Sequence, residues 1–217
     1  MLMHGFGLSA VPEALPVDAA GWFALLNQNP LIGLTLLEVF DLVEYMLVGL
    51  LFLAMAAALW KDNRSAVLAA VTFGWAGIIT YISSNQVFSL LALSEKFAAA
   101  TSEAQWASLL SSGETLLAVY NPGVLHQGTG IYICMLLVPL AGLFLSLVML
   151  RSHTFNKATA ITGILANAII LCYFPVLAFA PSGLALPFVL SAPFRVVWYF
   201  LIALRLIKLG KETKSDK

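Results

Sequence analysis

Five stretches of this chain stay apolar over roughly the 20 residues that a helix needs to cross a bilayer: residues 41–60, 66–83, 124–150, 158–180 and 187–207. Within hydrocarbon, every backbone polar group must find its partner inside the protein, so apolar runs of this length are read as membrane-spanning helices. The composition agrees. Of the 217 residues, 61% are hydrophobic and only 10% charged, against roughly 25% charged in a soluble domain. The expected fold is all-α, a polytopic transmembrane helix bundle of about five spans, with amphipathic helices on its outer face. Residues 31–209 form the one transmembrane domain, between an extracytoplasmic segment (1–30) and a short, frayed cytoplasmic tail (210–217).

Charge placement orients the bundle, because Lys and Arg concentrate in short cytoplasmic connections. Lys61 and Arg64 lie between the first two spans, Arg151 and Lys157 between the third and fourth, and Arg205, Lys208, Lys211, Lys214 and Lys217 close the chain. An odd number of spans puts all three groups on one side. The other side carries only Lys96. The reading is a plasma (inner) membrane protein with its N-terminus outside and its C-terminus in the cytoplasm. Residues 1–29 hold no Lys or Arg, and Pro12, Glu13, Pro16 and Asp18 interrupt them, so no cleaved signal is expected. With a net charge of zero, no global field recruits nucleic acid.

The 84–123 connection is too long for a turn. Ser102 and Gln105 form a capping-box pattern, and Trp106, Leu109, Leu110, Leu116, Leu117 and Tyr120 follow at helical spacing, which predicts an amphipathic helix. A shorter helix is expected over 87–99, and another over 21–26 with Trp22 at headgroup depth. Asn121 and Pro122 are suited to begin the third span. Pro139 and Pro175 should kink the third and fourth spans. Gly142 with Ser146, and Thr159 with Gly163, place small residues four apart, a spacing that lets helices approach closely. Cys134 and Cys172 sit in apolar runs with no metal-binding spacing and read as small core residues.

Charged side chains at membrane depth cost about 3 kcal/mol each on insertion scales, so each needs a reason. Glu38, Asp41 and Glu44 stand three apart and share a broad face at the outer end of the first span, with Tyr45 adjoining it. Arg195 lies about 12 Å into the fifth span, at a depth where it can pair with Glu44 or Asp41. His126 and Gln127 stand at the outer end of the third span. A histidine near carboxylates is a combination used for divalent metals and for acid–base chemistry, but no metal-binding motif is present, and the residues imply no metal and no cofactor. Asn167 should bond to a neighbouring helix from mid-span, and Glu114 reads as solvated. The candidate site is therefore Glu38, Asp41, Glu44, Tyr45, His126 and Arg195.

The stretches LLEVFDLVEYMLVGLLFLAMAAALW (36–60), YISSN (81–85), SGETLLAV (112–119), LVMLRSHTFNKATAITGILANA (147–168) and WYFLIALRLIKLG (198–210) resemble a family of bacterial multi-pass membrane proteins designated a domain of unknown function. Its best marker is the run from Arg151 to Asn167. The resemblance implies a membrane bundle and carries over no catalytic residues. Three roles fit the residues: binding or transport of a small or lipid-like molecule through an outer polar cavity, intramembrane catalysis by the carboxylates and His126, or non-catalytic assembly. The balance leans away from catalysis. Membrane lipids are expected partners, while oligomeric state has no signature in the sequence.

Overall fold

The computed structural model describes residues 15–119 and 128–215. In chain order the helices among them are α1 (Ala19–Gln28), α2 (Pro30–Leu36), α3 (Val39–Leu59), α4 (Arg64–Ser84), α5 (Val87–Ala99), α6 (Glu103–Val119), α7 (Thr129–Arg151), α8 (Lys157–Leu171), α9 (Tyr173–Phe179) and α10 (Leu186–Ser215), with a 3-10 turn at Pro181–Gly183. No strand occurs among the described residues. Five helical stretches are long and apolar enough to cross a membrane: Val39–Leu59, Arg64–Ala99, Thr129–Arg151, Lys157–Phe179 and Pro181–Glu212. The chain is a multi-pass integral membrane protein. It folds as two compact units, one comprising residues up to Glu44 with Ser84–Thr129, the other Tyr45–Ser83 with the chain from Gly130 onward.

The first unit is built from short capped helices. The Asp18 carboxylate accepts the Gly21 N–H at 2.8 Å and starts α1. Asn29 caps α2 through the Ile32 N–H, with Pro30 at the first helical position, where its missing N–H costs nothing. Ser102 Oγ accepts from Gln105 N, but the Gln105 side chain accepts from Thr101 N rather than Ser102 N, so the expected capping box closes one residue early. One stripe of α1 (Ala19, Trp22, Phe23 and Leu26) is buried, and α1 packs on α5 and α6. Trp22 is only 1% exposed. It is a core residue of this unit, contrary to its expected headgroup position, because the 3-and-4 spacing places it on the same stripe as Phe23 and Leu26. A Cβ on Gly113 of α6 would lie 2.7 Å from Ala19 and Phe23, so only glycine permits this helix approach.

The second unit carries the principal apolar core, with Phe52, Met55, Ile78, Leu145, Trp198 and Ile202 at its centre. Gly49 makes room for Trp75, and Gly74 for Phe52. Opposite faces stay bare: Leu47, Leu50 and Leu53 on α3 and Val196, Phe200 and Leu204 on α10 are 45–68% exposed. Apolar stripes of this extent are unstable in water and are what lipid tails cover. The basic connections share one end of this unit. Ser152 Oγ, after α7, donates to Asp62 Oδ2 between α3 and α4 at 2.7 Å, and Arg205 Nε on α10 donates to the Thr154 carbonyl.

Several expectations are refined or corrected. Residues before the first span form a separate short helix, with α2 ending at Leu36 and α3 starting at Val39, two residues ahead of the expected start. The fourth span is interrupted at Cys172, as the proline predicts, three residues before Pro175, which lacks the N–H to continue the α8 ladder. In the third span, Pro139 lies inside the continuous helix α7. Cys172 is exposed, whereas Cys134 is buried as expected. Past Leu209 the described residues stay helical, α10 running to Ser215, with Glu212 paired to Arg205 at 3.6 Å and to Lys208 at 4.0 Å. Tyr120, Asn121, Pro122, His126 and Gln127 lie outside the described residues.

Candidate functional site

The acidic residues gather where the chain enters α3, but not as one regular helical face. Leu37 N and Glu38 N still donate to the α2 carbonyls of Gly33 and Thr35, whereas Asp41 N donates to the Glu38 carbonyl. Glu38 is thus the joint between two helices, and its φ is +62°. A residue with a Cβ is strained there by roughly 1–2 kcal/mol. Asp41 and Glu44 follow on the first two turns of α3, where carboxylates favour the positive end of the helix dipole. Glu38 and Asp41 are half-buried and Glu44 is exposed. Burial, and secondarily the neighbouring charge of Asp41, push the Glu38 carboxyl up to about 7. Among the described residues no three His, Cys, Asp or Glu side chains are placed to hold a metal.

Two of the other proposed members, Tyr45 and Arg195, are described within the second unit. Tyr45 begins the second unit, where its ring packs 4.5 Å from that of Tyr81 and its hydroxyl bonds to the Cys134 thiol. It is a packing residue between α3, α4 and α7. Arg195, half-buried on α10, donates to Ser191 Oγ one turn earlier at 3.3 Å. Its pairing with Glu44 or Asp41 belongs to the sequence reading alone.

Two polar residues have firm structural duties. Glu114 Oε1 accepts the Ala19 N–H at 2.8 Å. It is a cap for α1 supplied from α6, not the free solvated acid expected. Asn167 Nδ2 donates to the Gly163 carbonyl of its own helix at 2.7 Å, and Ser146 Oγ donates to Gly142 on α7 at 2.8 Å. The expected bond across helices is replaced by close approach. A Cβ on Gly142 would overlap the Asn167 amide, and one on Gly163 would overlap Ser146 Oγ and the Trp198 indole nitrogen. The two small-residue pairs therefore interlock, with Gly163 joined to Asn167 rather than to Thr159. Each of the two polar side chains thus has a hydrogen-bond partner on its own helix.

The sequence reading also missed a cleft at the basic end of the second unit, lined by His153, Asn156, Thr159, Leu204, Arg205 and Lys208, among others. Its signal was the pair Arg205 and Lys208, three apart and so on one helix face. No protein-family model, curated protein or solved structure matches the chain.

Proposed function

We propose that this membrane protein binds a small or lipid-like molecule bearing a cationic group at Glu38, Asp41 and Glu44, on the side of the bilayer opposite its basic connections. In this proposal the membrane is the bacterial inner membrane, the basic end is cytoplasmic and the chain belongs to the family that its 151–167 run resembles. The observation that carries the binding role is Glu38. A glutamate in the left-handed region is strained, and strain of this kind persists at functional sites where the surroundings hold it. Burial, and secondarily the charge of Asp41, hold this carboxyl towards neutrality, and a cationic group would recharge and satisfy it. Binding is favoured over transport because the mid-span polar residues Ser146 and Asn167 are each bonded to their own helix.

The test is native mass spectrometry of the gently purified full chain, with identification of any retained molecule. Retention of a cationic small molecule or lipid, lost in Glu38→Gln and Asp41→Asn proteins that still melt cooperatively, is the expected result. An empty wild type, or retention that ignores both substitutions, refutes the proposal.

A further inference from the structure

We propose that the cleft between the α7–α8 turn and α10 seats the phosphate group of an anionic membrane lipid. The cleft has a volume of about 400 Å³, in the range of small-molecule sites. Its polar wall is cationic. Arg205 is fixed by its Nε bond to the Thr154 carbonyl, so the guanidinium is held in place, and Lys208 stands one turn on. Both face a single carboxylate, Glu212, at 3.6 and 4.0 Å, which leaves one positive charge of the pair unbalanced. Asn156 accepts from Thr159 N at 2.7 Å and starts α8 at the cleft wall, and the helix dipole adds to the positive potential there. His153, whose imidazole carries a ring N–H, also lines the cleft.

The opposite wall decides which phosphate. Leu201 and Leu204 line the same cleft, and Leu204 is 51% exposed, in register with the bare Val197 and Phe200. A phosphate seated against Arg205 and Lys208 would pass its apolar remainder directly onto the lipid-facing side of α10. A free phosphate would leave that wall uncovered. Basic pockets at the ends of membrane helices recognise anionic headgroups by this combination of charge and apolar continuity. The proposal does not rest on the Glu38 group.

The experiment uses the full chain in detergent, exposed to equal amounts of phosphatidylglycerol and phosphatidylcholine with identical acyl chains, and counts bound lipid by native mass spectrometry. Wild type should retain phosphatidylglycerol at least threefold over phosphatidylcholine. Lys208→Glu should abolish that preference and His153→Ala should weaken it, with unchanged melting temperatures, while Lys61→Gln, at the same end but outside the cleft, should keep it. Equal retention of the two lipids overturns the proposal, as does a preference that survives Lys208→Glu. A parallel arm adds millimolar inorganic phosphate without lipid. Thermal stabilisation by phosphate with no headgroup preference would assign the cleft to a free anion and overturn the lipid assignment.

Discussion

Glu38→Gln removes a proton-linked contribution whose size follows from the structure. The carboxyl rises from an ordinary 4.5 to about 7 in the folded chain. Between those values the folded protein holds a proton that the unfolded chain has released. The folded state is therefore at its best below pH 4.5, loses stability as pH rises, and carries the full penalty above pH 7. Each tenfold change in proton affinity is worth about 1.4 kcal/mol, which sets a ceiling of about 3.4 kcal/mol. The side chain is only partly buried, and solvent screening reduces this to about 1–2 kcal/mol. For a chain of this length that corresponds to a melting shift of roughly 2–8 °C. The assay is intrinsic tryptophan fluorescence during heating in detergent, at steps from pH 5 to 8. Wild type should melt lower at pH 8 than at pH 5, and Glu38→Gln should flatten the slope and match or exceed wild type at pH 8. A wild type that gains stability with pH, or a variant that keeps the full slope, refutes the reasoning.

Glu38→Gly should raise the melting temperature at pH 8 by relieving the left-handed backbone, worth about 1 kcal/mol, and a drop there would show that the side chain is held by contacts stronger than the strain. Gly163→Ala should destabilise by about 1–3 kcal/mol through overpacking against Ser146 and Trp198, whereas Gly210→Ala, with open space around it, should be neutral or slightly stabilising in the same thermal melt. Glu114→Ala should cost about 1–2 kcal/mol and accelerate amide hydrogen exchange at the start of α1, while Glu114→Gln, which keeps an acceptor, should preserve most of the protection.

The spans were legible in the sequence because membrane helices are written in long apolar runs, and α3 begins within two residues of the expected position. The helix over Val87–Ala99 matches its expectation, since its bounds coincide with a change in polarity. What could not be read was which way a local hydrogen bond would go. Asn167 and Ser146 bond backward along their own helices, a choice set by how close Gly142 and Gly163 bring the backbones. Glu114 finds its partner 95 positions away, and no local pattern marks such a pair. Regular spacing also misled at Glu38: three-residue steps imply a continuous helix, whereas a left-handed joint interrupts it. In the candidate site, the grouping of the carboxylates was readable from their order, but the strain and the shifted proton affinity come from the fold.

The central claim is a five-span chain whose basic connections share one side of the membrane. Single cysteines at positions 61, 108, 182 and 214, in a protein with Cys134 and Cys172 replaced by alanine, would be treated with a membrane-impermeant maleimide in intact cells and again after permeabilisation. The account expects labelling of Ser108→Cys and Ser182→Cys in intact cells, and of Lys61→Cys and Lys214→Cys only after permeabilisation. Labelling of Lys61→Cys and Lys214→Cys on opposite sides, or of Lys61→Cys together with Ser108→Cys in intact cells, would contradict it.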